Sequence, residues 1–204
     1  MGGSDLDLSV DARTRRTWRT SATTQDPGLT RVYRLSLARQ AAGSPLRVSA
    51  GRLASPSLAS VNLFDGVLTE YLGPRFGAGL FAGSQPGTSD WDYTREVMEY
   101  GGYARLQNAA QAPHRWSVTG GGVTSYDRGT TNRDYLFLRG QYNDARSFGY
   151  FSQELDVNRG WRRELEGGAL SLTSTLLSLQ YRPSGVLTLN AGYDEDRKST
   201  RLNS

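Results

Sequence analysis

The 204-residue chain has no cysteine, one histidine, one lysine and two methionines, and it lacks any long apolar run. The missing cysteines exclude a disulfide framework and a thiolate metal site. With His114 alone, an HExxH zinc site, a histidine cluster and Ser-His-Asp chemistry away from that residue are excluded too. No stretch reaches the roughly 18 to 20 consecutive apolar residues of a spanning helix, so the chain is not a helical membrane protein. Apolar content is low at 37%, whereas 24 glycines and 11 tyrosines are many. That balance arises where an apolar layer faces outward and polar side chains face inward.

Basic charge is carried almost wholly by arginine; the single lysine is Lys198, in the run Arg197-Lys198-Ser199-Thr200-Arg201-Leu202-Asn203-Ser204. These last residues, 197–204, differ in composition from the rest and resemble translated sequencing-adapter read-through, so they are expected to be non-native. Three of the basic residues lie there (Arg197, Lys198, Arg201), and without them the net charge of +4 falls to +1. The high isoelectric point is therefore weak support for a nucleic-acid partner, and none is expected. At the other end, Met1-Gly2-Gly3-Ser4 leads into Asp5-Leu6-Asp7-Leu8 with no apolar h-region, and Leu6 does not fit a myristoylation signal. The expectation is one domain over residues 1–196 that represents part of a longer protein.

The dominant period is two. Tyr33, Leu35 and Leu37 alternate with Arg34 and Ser36; Leu46 and Val48 with Arg47 and Ser49; Phe76, Ala78, Leu80 and Ala82 with Gly77, Gly79 and Gly83. The same alternation runs through Met98 to Leu106, Trp116 to Tyr126, Leu136 to Tyr142 and Leu187 to Tyr193, and each run reads as a strand. Turn signals divide the chain into about eleven strands, near 4–13, 30–40, 46–54, 60–72, 76–84, 96–107, 115–126, 133–142, 147–157, 169–182 and 186–195. Two places break the phase: Asp65 shares parity with Val67, Thr69 and Tyr71, and the apolar side flips between Leu176 and Leu177. A bulge could reset either.

Connections alternate in character as well. Ala41 to Pro45, Gly73 to Arg75, Asn108 to His114, Asn143 to Arg146 and Pro183 to Gly185 are mostly compact; Thr14 to Leu29, Ser55 to Ala59, Gln85 to Arg95, Asp127 to Asn132 and Asn158 to Gly168 are generally longer and more polar. In an up-and-down sheet, odd and even connections lie at opposite ends, which places turns at one rim and loops at the other. Tyr71, Phe76, Trp116, Tyr142, Phe148 and Tyr181 flank the compact turns, and Tyr33, Tyr126 and Tyr193 lie toward the loops. Two aromatic belts are implied, as at the two interfaces of a bilayer.

The succession Gly51-Arg52, Leu63-Phe64-Asp65-Gly66-Val67, Tyr71-Leu72-Gly73-Pro74 and Phe76-Gly77-Ala78-Gly79-Leu80-Phe81-Ala82-Gly83 resembles porin-like outer-membrane β-barrels of Gram-negative bacteria, the alginate-export-like and related families. The resemblance is one of pattern and covers roughly residues 4–196. It implies an all-β fold, an antiparallel up-and-down transmembrane β-barrel of which about eleven strands are present, an outer-membrane location, a lipid bilayer as partner, and passive passage of small polar solutes. Homo-oligomers are common among such barrels. Bacterial single-chain barrels have even strand numbers, so eleven fits an incomplete barrel.

If one parity meets lipid, the other lines a lumen: Arg34, Arg47, Glu70, Glu99, Arg105, Arg139, Gln141, Gln180 and Asn190. Mixed signs favour weakly selective passage of polar solutes over a strong ion filter. The same residues also fit the solvated side of an antiparallel sheet, or salt bridges bracing a plugged barrel. Catalysis has little support. His114 lies in a compact turn, the acidic loop residues Asp90, Asp92 and Glu96 beside Trp91 and Tyr93 are unspecific as calcium or sugar ligands, and the Gly77, Gly79 and Gly83 spacing does not fit dinucleotide binding. Gly120-Gly121-Gly122 points to close backbone approach within a strand. No catalytic residue, metal or cofactor is expected. Two alternatives stay open: a soluble all-β binding protein, propeller or sandwich, with the apolar parity packed inward; and a barrel-type surface enzyme whose site lies in a part not present.

Overall fold

The computed structural model describes residues 4–15, 29–55, 57–58, 61, 63–87 and 92–197. These form one eleven-stranded sheet in which every strand pairs antiparallel with its sequence neighbours. The strands are β1 (Ser4–Arg15), β2 (Leu29–Ala41), β3 (Leu46–Leu53), β4 (Phe64–Leu72), β5 (Phe76–Ser84), β6 (Val97–Gln107), β7 (Arg115–Asp127), β8 (Thr130–Asn143), β9 (Ser147–Val157), β10 (Leu170–Tyr181) and β11 (Leu189–Asp196). The sheet is open: among the described residues β1 and β11 do not pair with each other. A single meander with no second sheet is neither a propeller nor a sandwich.

Every expected strand is present, and the phase breaks now have causes. Three register shifts occur among the described residues, each inserting one extra residue into a strand: Tyr33 opposite β1, Asn132 opposite β7 and Thr173 opposite β9. All three lie toward the loop rim, where bulges bend a sheet. The Thr173 bulge explains the flip in β10, because Leu172 is ladder partner to Leu155, and Leu177 to Phe151, while Leu176 falls on the opposite face against Ser152. In β4 no bulge intervenes. Asp65 keeps the parity of Val67 and stands opposite Arg52, which holds it in a bidentate ion pair at 2.6 and 2.7 Å. The charge on the apolar parity is thus answered by its ladder partner.

One connection differs from expectation. The polar loop expected from Asp127 to Asn132 is the two-residue turn Arg128-Gly129. Both residues have positive φ (47° and 85°), the pattern of a type I′ hairpin, whose twist matches that of the flanking strands. The β9–β10 connection also contains a short helix, α1 (Trp161–Glu166), closed by Gly167 in the left-handed region.

The two faces differ in chemistry. One carries Leu6, Leu8, Val10, Leu35, Leu37, Val48, Val67, Leu80, Leu106, Val118, Leu136, Leu138, Leu179 and Leu189, all exposed, with Leu80 at 73%. The other holds the packed cluster of Leu53, Leu58, Val61, Phe64, Leu68, Phe81, Tyr103, Val123, Tyr135 and Phe137. Leu58 and Val61, from between β3 and β4, pack into this inner-face cluster. Inner side chains also bond across an intervening strand: Arg47 on β3 to Asp7 on β1 at 3.3 Å, and the Tyr103 hydroxyl on β6 to Glu70 on β4 at 2.6 Å. Strands two apart are separated by about 9 to 10 Å when flat, and these bonds together with the packed cluster fit a sheet that curls toward that face. We call it concave.

A small residue of the intervening strand lies beneath part of each bridge. Ala38 lies between Asp7 and Ser49 in the ladder, and Gly79 between Glu70 and Tyr103. A Cβ on Gly79 would meet the Tyr103 ring at 2.4 Å, and one on Gly121 would meet Phe137 at 2.6 Å and the Gly102 carbonyl oxygen at 2.3 Å. Phe81 lies over Gly101 in the same way. The aromatic rings therefore lie across glycines of the neighbouring strand, and the central glycine run serves close approach, as the sequence indicates. Replacing Gly79 by Ala is expected to destabilise the fold by about 1 to 3 kcal/mol, the range for overpacking. In a Tyr103→Ser background most of that cost should vanish, and a double-mutant cycle on unfolding free energies checks it.

Candidate functional site: the concave face

All nine residues expected to line a lumen share the concave parity, but they sit in different surroundings. Arg34 is exposed opposite Asp11, and Arg47 is ladder partner to Glu70 while bonding Asp7. Glu70 accepts from Tyr103, and the buried Glu99 accepts from Gln85. The Arg139 guanidinium lies 5.8 Å from the Tyr150 ring centre, and Gln180 donates to Asn190. Arg105 and Gln141 line one cavity. The same face also carries side chains that are not polar. A middle band of Leu68, Phe81, Tyr103, Val123 and Phe137 is apolar or aromatic, because the inward positions of β4 to β8 pack on one another across the curl.

At the loop rim this face carries a buried charge cluster that sequence reasoning missed. Asp156 on β9 has no exposed surface. Its carboxylate accepts from Arg133 Nη2 at 2.6 Å, from Arg162 Nη2 at 2.6 Å and from Thr173 Oγ1 at 3.1 Å. Arg133 also reaches Glu154 at 2.9 Å and lies 4.2 Å from the Tyr135 ring centre. Two guanidinium ions thus face two carboxylates, and burial is compensated by pairing. Arg162 belongs to α1 and donates to the Asn132 carbonyl, while Trp161 donates from its indole N–H to the Thr131 carbonyl. The 158–169 connection is therefore tied down onto the wall. The signal was present as arginines and acids on inward parity, but nothing in sequence sets Arg162 beside Asp156.

At the turn rim the concave face holds a cavity of about 310 Å³ between β6, β7, β8 and the 108–114 turn. Its polar lining includes Arg105, Gln107, Arg115, Ser117, Gln141 and Asn143, with no carboxylate. The nearby β8–β9 turn contains Asp144, held below the usual carboxylate range by the backbone N–H of Arg146, the Tyr142 hydroxyl and the Ser147 N–H.

The convex face shows the aromatic pattern with two corrections, the first being Tyr33, which is half-buried at the β2 bulge with the Arg13 guanidinium 4.9 Å from its ring centre. Tyr71 and Phe76 (ring centres 6.1 Å apart), Trp116, Tyr142 and Tyr181 are exposed near the turns, and Tyr100 and Tyr126 (6.3 Å) are exposed near the loops with Tyr193. Phe148 is ladder partner to Asn143 and Gln180 and so belongs to the concave face. Trp116 and Tyr126 lie ten residues apart on β7. At about 3.3 Å per residue and a tilt near 40°, such a span covers about 25 Å, the height of the apolar band of an outer-membrane barrel.

His114 is exposed in the β6–β7 turn, where its carbonyl accepts from Asn108. Asp92, Tyr93 and Glu96 are in the β5–β6 connection, whereas Asp90 and Trp91 lie outside the described residues, as do residues 198–204. No group of three or more metal-ligating side chains occurs among the described residues, and no helix there is long and apolar enough to cross a membrane, which says nothing of strands. No protein-family model matches the chain, and comparisons with curated proteins and with solved structures return no match either.

Proposed function

We propose that this chain is wall of an outer-membrane, porin-like β-barrel that lets small polar solutes pass passively. One observation carries the reading: the convex face of an eleven-stranded meander is predominantly apolar and uncovered, with Arg39 and Gln153 among its polar members and aromatic residues bounding the apolar band at both rims. In water such a surface would expose a contiguous apolar area far above the few hundred Å² that soluble monomers leave open. In a bilayer the same surface is solvated by hydrocarbon, and the hydrogen-bonded strands leave no spanning backbone group unpaired where each has two neighbours.

The concave face supplies the polar side of the wall. Its arginines, glutamines and asparagines offer donors to a passing solute, while the packing of Leu58 and Val61 narrows the space at the loop rim. Reconstitution into planar bilayers tests the function. Stepwise conductance that follows the protein, with passage of small uncharged sugars in liposome swelling, is expected. A chain that inserts but leaves both bilayer current and swelling at background would contradict passage of solutes.

A further inference from the structure

We infer that the turn-rim cavity is an oxyanion site, in which Arg105 and Arg115 receive the carboxylate or phosphate group of a small polar solute. The inference deepens the channel reading by naming a solute class. Five carboxylates of the concave face are engaged by named partners: Asp7 with Arg47, Glu70 with Tyr103, Glu99 with Gln85, and Glu154 and Asp156 with Arg133. Asp144, in the β8–β9 turn next to Asn143, is held by the Tyr142 hydroxyl and the backbone N–H groups of Arg146 and Ser147, and the turn-rim cavity itself is lined by two guanidinium groups and no acid.

Neither arginine has an anion. Among the described residues, no hydrogen bond or ion pair engages the side chain of Arg105 or Arg115, and Arg105 Nε is buried without an acceptor. A buried N–H on a cation with nothing to donate to costs free energy that an oxyanion would recover. Register places the lining on the inward face: Arg105 pairs in the ladder with Thr119, which pairs with Arg139, and one step nearer the turns Gln107, Ser117 and Gln141 form the adjoining rung. Arg115 closes the rim beside Asn143.

The chemistry specifies the ligand. Two guanidinium groups match an oxygen pair or triad, as in carboxylate or phosphate recognition. The neutral donors and acceptors of Gln141, Asn143 and Ser117 suit hydroxyl or carbonyl groups on the remainder of the solute. A cavity of about 310 Å³ admits a molecule the size of a small organic acid or sugar phosphate.

The experiment uses the full chain in detergent, with inorganic phosphate as probe, so that it reports binding independently of conduction. Arginines are modified with phenylglyoxal and mapped by mass spectrometry, with and without phosphate; the exposed Arg163 on α1 is the internal control. Phosphate is expected to protect Arg105 and Arg115 and to leave Arg163 reactive, and acetate should compete while glucose should not. Calorimetry on Arg105→Gln should show phosphate affinity lower by about tenfold or more, as for loss of one charge-assisted hydrogen bond. Equal reactivity of all three arginines with and without phosphate would overturn the proposal, since that readout needs no variant to fold. Protection without conductance would retain the site and remove the channel.

Discussion

Leu80→Arg should cost about 2 to 4 kcal/mol when the protein folds into lipid bilayers, the range for an arginine placed on the lipid side near the bilayer midplane. Leu80 lies in the middle of β5 with 73% of its surface exposed, and its side chain shares the face of Ala78 and Ala82. If water met that face, the substitution would fall among the exposed changes that usually stay within about 0.5 kcal/mol of neutral. The two environments therefore separate by several-fold in one measurement: urea titration of lipid-refolded protein, read by tryptophan fluorescence. Leu138→Arg, on the same face of β8, should behave alike. Arg substitution close to a rim, at Leu106, should cost less, because the penalty falls toward the interfaces.

Asp156→Ala should be the most damaging single change on the concave face, at about 3 to 5 kcal/mol, because it leaves a buried pair of guanidinium groups without their shared carboxylate. Glu154 can still serve Arg133, but Arg162 loses the carboxylate it has among the described residues. The 158–169 connection should then become open to proteolysis near α1 while the strands stay protected. Asp156→Asn keeps the oxygen acceptor and should cost less. The triple replacement Arg133→Met, Asp156→Leu, Arg162→Leu should be milder than Asp156→Ala, since an apolar set of similar volume avoids the unpaired charges. Refolding yield and urea midpoints for the three proteins decide the order.

How far the sequence carries these arguments depends on what each feature requires. A period of two declares both the strand and its two faces, so Leu35, Val48, Leu80, Leu138 and Leu189 could be assigned to one side before any partner was known. Bulges are different. Thr173 looks like any strand residue until β9 supplies the register against which it is extra. The Arg128-Gly129 turn was hidden because its neighbours are polar and arginine seldom adopts positive φ. Phe148 was assigned to the turn belt by its distance from a turn, which fixes height on the wall and not the face. The concave residues were legible as a set, yet their division into a charged rim, an aromatic band over glycines and an arginine cavity arises from pairing between strands. Six residues are too few for a helical period, which is why α1 escaped notice.

The absence of cysteine makes one measurement especially direct. Single cysteines at Leu80, Val48 and Leu138 on the convex face, and at Thr119 and Ser152 on the concave face, can carry nitroxide labels without background. In lipid vesicles the first three should collide strongly with oxygen and weakly with a water-soluble nickel chelate, as groups in hydrocarbon do, and the concave pair should not share that oxygen-rich signature. Convex labels that meet the chelate as freely as an exposed loop, in a protein that stays monomeric without detergent, would contradict a lipid-facing wall.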